Sequence, residues 1–173
     1  MDRSSKCAKS VAACKDLPNI SSKYAEEGSD AHELSALCLV QGHSASAFIG
    51  KRITSGGRDF TVTKEMARDV QTYVDILDEQ ASDGDIDMVE KKFDLSSVHQ
   101  GCFGTADHVR WKPMTQQLVV TDLKFGAGKA VEVKGNPQLR YYALGALLEC
   151  KYPAKTIRIQ IVQPRYEHSD GYA

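Results

Sequence analysis

Two aspartates set inside apolar, strand-patterned sequence constrain this chain more than any other feature. Asp107 lies in the stretch 105–111 and Asp122 in the stretch 118–124, and the link between them, Lys112-Pro113-Met114-Thr115-Gln116-Gln117, is short and polar. Such a link predicts a hairpin. With residues 113–116 as its loop, Lys112 pairs with Gln117 and every paired couple has numbers summing to 229, which sets Asp107 opposite Asp122. Opposed side chains on one face have Cβ atoms about 4.5–5.5 Å apart, where like charges repel. Changing the loop by two residues keeps the aspartates on one face; an odd change separates them.

Something must offset that repulsion. A protonated carboxyl is one answer. A shared Mg²⁺ or Mn²⁺ is the more economical one, because hard cations select carboxylate oxygens and one ion spans the gap. Lys124, two residues beyond Asp122, points to the same face by the strand period. A lysine there can orient a water whose pKa the ion has lowered. Two carboxylates and a lysine on one hairpin are what in-line phosphodiester hydrolysis requires, although DxK taken alone reads as a solvated strand end with a surface salt bridge.

The rest of the chain supplies a frame for that hairpin. Residues 1–27 read as a polar arm, with a turn at Leu17-Pro18-Asn19 and a weakly helical stretch at 10–14. Asp30 and Glu33 then have capping-box spacing before Leu34, Leu37, Cys38 and Leu39, predicting a helix over 30–41 with His32 in its first turn. Residues 42–60, rich in Gly, Ser and basic side chains, read as a mobile loop. From Thr63 the apolar positions Met66, Val70, Tyr73, Val74 and Leu77 give an amphipathic helix. Strands follow over 86–95, 105–111 and 118–124, then a helix opened by Asn136-Pro137, then a strand through Ile157, Ile159 and Ile161. A chain of 173 residues can bury one sizeable core, so we read a single domain: arm 1–27, helix and loop 28–62, core 63–165. The expected class is α/β, a central mixed β-sheet flanked by helices with an N-terminal helical extension.

Four short motifs in this order resemble the PD-(D/E)XK nuclease superfamily, in its RecB-like and lambda-exonuclease-like branch, and especially phage-encoded members. The branch's GxxxH matches Gly28 to His32, GxxD matches Gly104 to Asp107, DxK matches Asp122-Leu123-Lys124, and QxxxY matches Gln138 to Tyr142. The resemblance spans roughly residues 7–165 and implies a restriction-endonuclease-like αβββαβ core. It also implies a metal-dependent deoxyribonuclease, an exonuclease of phage DNA recombination or processing. Under it, Asp107 and Asp122 are metal ligands, the Leu123 carbonyl and His32 are further ligands to Mg²⁺ or Mn²⁺, and Lys124 activates water. Gln138 and Tyr142 position the lysine, the scissile phosphate or the DNA backbone; their i, i+4 spacing fits that role and ordinary packing equally. DNA is the implied partner, with a homo-oligomer and phage recombination proteins as further ones.

Other features are weaker. Glu90 stands on the first strand as a further candidate for contact with the ion. Gly126-Ala127-Gly128-Lys129 reads as a turn, since it lacks a phosphate-loop spacing and the helix that must follow. Lys51, Arg52, Arg58, Lys129, Lys134 and Arg140 fall in loops or helix starts where they could line a nucleic-acid groove. The net charge of −1 excludes a strong whole-molecule basic field, so any such contact must be local. The five cysteines, Cys7, Cys14, Cys38, Cys102 and Cys150, are scattered without CxxC spacing and read as small buried hydrophobes. Cys150 stands alone after the last helix, so the iron–sulfur cluster of some relatives is not expected. With no apolar run of signal-peptide or spanning length, the expected location is the cytoplasm, the host's if phage-encoded, with no membrane partner. Two rival readings keep the same residues: a catalytically idle nucleic-acid-binding module and a metal-dependent nucleotide phosphohydrolase.

Overall fold

The computed structural model describes residues 22–96, 103–126 and 129–166. The turn at 17–19, the weak helix at 10–14 and Cys7, Cys14 and Cys102 lie outside these residues, as do two residues of the 126–129 turn.

Helix α1 (Lys23–Gln41) starts at Lys23, not at residue 30, because Ser22 caps it: the Ser22 Oγ accepts from the Ala25 N–H at 3.2 Å. Residues 23–27 therefore belong to a helix rather than to an arm. Asp30 is no cap but a buried side chain paired with Arg58, and His32 sits mid-helix. Gly42, at φ 65°, closes the helix in the left-handed conformation. The segment expected to be a mobile loop is ordered. It holds a 3₁₀ turn (Ala45–Phe48) and a hairpin of β1 (Arg52–Ser55) and β2 (Arg58–Thr61). The two connecting residues, Gly56 and Gly57, have φ of 57° and 82°, and two positive φ values are what the primed two-residue turn demands. Phe48 and Phe60 anchor this unit against Leu34 and Cys38 of α1 and against Met66 and Val70 of the next helix.

That helix, α2 (Lys64–Glu79), is capped by Thr63, whose Oγ1 accepts from Met66 N at 3.1 Å, as the spacing predicts. Strands β3 (Ile86–Asp94), β4 (Phe103–Lys112) and β5 (Gln117–Leu123) follow, then α3 (Pro137–Cys150) and β6 (Thr156–Val162). Asn136 caps α3 by accepting from the N–H groups of Gln138 and Leu139. The four strands form one mixed sheet in the order β3-β4-β5-β6, antiparallel except for the parallel β5–β6 pair. The chain is thus α/β, with a mixed sheet packed against helices. No helix among the described residues is long and apolar enough to cross a membrane.

Strand alternation divides the core. Val109, Trp111, Leu118 and Val120 face α3 through Tyr142, Ala143 and Ala146. Leu123 and Val162 face the other way, onto Tyr73, Ile76 and Leu77 of α2. Gly145 lets α3 approach the sheet: a Cβ there would lie 2.8 Å from Phe93 Cβ. Phe93 is fully buried and cannot yield. On the α2 side, Arg110 is buried with its guanidinium bonded twice to Asp87, at 2.6 and 2.9 Å. Burial alone would raise the Asp87 carboxyl, but the bonds from His108 and Arg110 outweigh it and hold it well below the usual carboxylate range.

Two tests follow from this packing. Gly145→Ala gains about 1 kcal/mol of helix propensity but overpacks against Phe93 at a cost of roughly 1–3 kcal/mol, so urea melts should show net destabilisation. Asp87→Asn should lose about 1 kcal/mol at pH 7, less than the ~1.5–3 kcal/mol of a buried hydrogen bond to a charged group, because the Asp87 carboxylate is 42% exposed and solvent screens it. A depressed pKa stabilises only where the unfolded carboxyl is also ionised. The gap between Asp87→Asn and the parent should therefore be full at neutral pH and close as pH falls below 3.8.

Candidate functional site

The β4–β5 ladder pairs His108 with Thr121 and Lys112 with Gln117, the register that sums to 229. One step further along the same register sets Asp107 opposite Asp122. On the other side of β4, Val89 pairs with His108 and Lys91 with Ala106, so the residue facing Asp107 from β3 is Glu90. The ladder skips that couple, and Glu90 takes φ 47°. A left-handed backbone at a residue other than glycine costs about 1–3 kcal/mol and persists only where its surroundings enforce it. Three carboxylates thus lie in a row across three adjacent strands.

Each carboxylate has a different partner. Asp107 is buried; its Oδ2 accepts the Leu123 backbone N–H at 2.6 Å, and its Oδ1 lies 3.2 Å from His32 Nδ1. The same imidazole nitrogen is 3.8 Å from Glu90 Oε1. Burial opposes charge on His32, but the bonds to Asp107 and Glu90 outweigh it and raise the imidazole to about 10. Asp122 is buried with its Oδ2 2.6 Å from Lys124 Nζ. That contact is an ion pair without the alignment of a hydrogen bond, and the oxygen has no other partner among the described residues. Burial first, and the Asp107 charge second, push the Asp122 carboxyl up to about 6 against the pull of Lys124.

The QxxxY pair completes the arrangement from α3. Lys124 donates to Gln138 Oε1 at 3.2 Å, and Gln138 Nε2 donates to the Tyr142 hydroxyl at 2.7 Å. The glycine of GxxD now has a physical reason: a Cβ on Gly104 would meet Tyr142 Cε1 at 3.0 Å. Gly104 therefore admits the ring that holds Gln138, and through it the lysine. The glycine of GxxxH differs, since a Cβ on Gly28 would meet nothing within 4 Å. With Ser29, His32 and Glu90 it borders an open recess of about 610 Å³ beside the carboxylates.

His32, Glu90 and Asp107 each offer an atom lying within 4.8 Å of the others. An ion bonded at about 2.0–2.2 Å to each ligand holds them within about 4.4 Å of one another, so small side-chain adjustments would let the three hold a divalent cation. One imidazole with carboxylates suits Mn²⁺ better than Mg²⁺, which prefers oxygen throughout. Of the residues singled out in the sequence, His32 and Asp107 meet here, Lys124, Gln138 and Tyr142 form one chain, and Asp122 joins the two groups. Glu90, a marginal candidate by sequence, joins the cluster as its exposed member, 3.8 Å from His32. Leu123 reaches the site through its N–H.

The basic residues are less united. Arg58 is taken up by Asp30 and Glu26, Arg52 lies 3.8 Å from Asp59, and Lys51 caps the Phe48 ring at 5.1 Å. Lys129, Lys134 and Arg140 are exposed. Cys38 and Cys150 are free thiols.

Because the folded protein must ionise a buried Asp122 beside Asp107, Asp122→Asn without metal should be as stable as the parent or more so. An acid whose folded pKa is raised loses stability as pH climbs from 3.8 through about 6. The variant's advantage should therefore appear above pH 6 and vanish toward pH 4. Thermal melts in chelator at three pH values measure it, and large destabilisation of the variant at pH 8 would make Asp122 a structural anchor.

No solved structure matches the chain. A family model described as "Protein of unknown function (DUF2800)" matches residues 1–173. The chain belongs, over its whole length, to the DUF2800 family.

Proposed function

We propose that this protein is a metal-dependent deoxyribonuclease that hydrolyses DNA phosphodiester bonds on a restriction-endonuclease-like core. The element order from α2 to β6, helix, three strands, helix, strand, supports the fold. The observation that carries the chemistry is the Lys124 ammonium held against Asp122 and Gln138 beside the buried Asp107 and Asp122 pair. A structural role alone gives no reason to bury repelling acids and aim a lysine at them.

In this reading Asp107, Asp122, His32 and the Leu123 carbonyl hold Mg²⁺ or Mn²⁺, with Glu90 as an additional ligand. The bound ion supplies Lewis-acid polarisation of the phosphate and a more acidic water. Lys124 would orient a water at the site and balance the charge gathering on the phosphate oxygens. Gln138 restricts the lysine to one direction, and Tyr142 restricts Gln138. The recess beside His32 and Glu90 gives the strand a way in, and Lys129, Lys134 and Arg140 are free to meet phosphates outside it. Exonuclease action within phage recombination is the specific form that the motif resemblance favours.

The test incubates the full chain with end-labelled linear and closed circular DNA in Mg²⁺, Mn²⁺ or chelator. Cleavage should need metal, with Mn²⁺ at least as effective as Mg²⁺. Lys124→Ala should keep metal binding by calorimetry while losing about 10²–10⁴-fold in rate. Cleavage in excess chelator, or a Lys124→Ala variant as fast as the parent, would sink the proposal.

A further inference from the structure

The sheet face turned away from the carboxylate row carries a second polar cluster. His108, Arg110 and Lys112 alternate along β4, Thr121 stands beside them on β5, and Arg158 on β6 pairs in register with Val119. These residues line a cavity of about 290 Å³ under the C-terminal end of α2. Among the described residues three cations line it and no carboxylate does.

The acids that neutralise two of those cations lie outside the lining. Arg110 donates to both oxygens of Asp87 and once to the Leu77 carbonyl. Of the five N–H groups of a guanidinium, two are left over. Lys112 Nζ directs its three donors to Asp85 Oδ2 and the Gln80 carbonyl, each at 2.7 Å, and to Ser82 Oγ at 3.3 Å, so it contributes charge but no free N–H. Arg158 has no ion-pair partner among the described residues and is exposed. His108 is 1% exposed; its Nε2 lies 3.1 Å from Asp87 Oδ1, and its Nδ1 has no partner among the described residues. Thr121 Oγ1 accepts from Gln160 at 2.7 Å, which leaves its own hydrogen to donate.

We propose that this cavity binds a small phosphorylated anion. Its cations come from β4 and β6, two strand spacings or about 9–10 Å apart, so they approach an occupant from different sides. A tetrahedral dianion presents diverging oxygens to both sides, whereas a planar carboxylate is satisfied by a single guanidinium. The site is separate from the carboxylate row. His108 follows Asp107 and Thr121 precedes Asp122, so the occupant sits one residue away along both strands but across the sheet. The inference does not depend on the nuclease reading.

Calorimetric titration of the full chain with inorganic phosphate, and separately with a nucleoside 5′-monophosphate, tests this in excess chelator so that no metal bridges the anion. At least one probe should bind, and which one separates free phosphate from a nucleotide source. Arg158→Ala, an exposed and unpaired position, should keep the parental melting temperature yet weaken binding roughly tenfold or more, the loss of one charge-assisted contact. Asp107→Asn should bind as the parent does. Acetate should not compete. Absence of binding by both probes, unchanged affinity in Arg158→Ala, loss of binding in Asp107→Asn, or equal binding of acetate each overturns the proposal.

Discussion

Repulsion among three carboxylates on neighbouring strands is the constraint around which this structure is built. Glu90, Asp107 and Asp122 could not share one row without a source of positive charge or of N–H donors on each side. One source is His32, carried by α1 and set between Glu90 and Asp107. A second is the Leu123 backbone, which donates to Asp107. The third is Lys124, steered by α3 through Gln138. The first arrives on α1 and the other two at the end of β5, where Gln138 of α3 holds the lysine, so the row ties α1, β5 and α3 to β4 more specifically than apolar packing does.

The placement of His32 depends on how α1 is held, and Arg165 contributes there. Its guanidinium lies 3.1 Å from Glu27 of α1 and 3.0 Å from Asp69 of α2, and it sits over the Phe125 ring at 4.4 Å. Phe125 directly follows Lys124. One side chain near the end of the described residues thereby joins the helix that presents the histidine to the strand end that presents the lysine. An arginine suits this position because its planar face can stack on a ring while its edges bond to carboxylates.

Much of this was legible before any coordinates. The four-residue link fixes the parity that puts Asp107 and Asp122 on one face, and the Thr63 and Asn136 caps mark two helix starts because their side chains bond locally. Long-range pairings were not legible. Glu90 faces Asp107 through a register set across the long link 95–102, whose length leaves the pairing open, so its place in the row could not be computed as that of Asp122 could. The start of α1 is obscured because Asp30 and Glu33 imitate a capping box, while the true cap, Ser22, precedes a stretch containing Gly28 that reads as irregular. Gly56-Gly57 reads as mobility in the sequence, whereas its two positive φ values make a tight turn. The cluster around Arg110 is hidden in the sequence because charged residues on a strand look solvated until the helix that covers them is placed.

The left-handed backbone at Glu90 has a consequence unconnected with chemistry. Among the described residues β3 forms one edge of the four-stranded sheet, and a flat, regular edge invites a strand from another molecule to add to it. The irregular turn of the chain at Glu90 interrupts that edge halfway along, and Lys91 and Lys92 follow it immediately. An incoming strand would lose register at the break and meet two positive charges beyond it. The distortion that turns Glu90 toward His32 thus also makes the open side of the sheet a poor template for another strand.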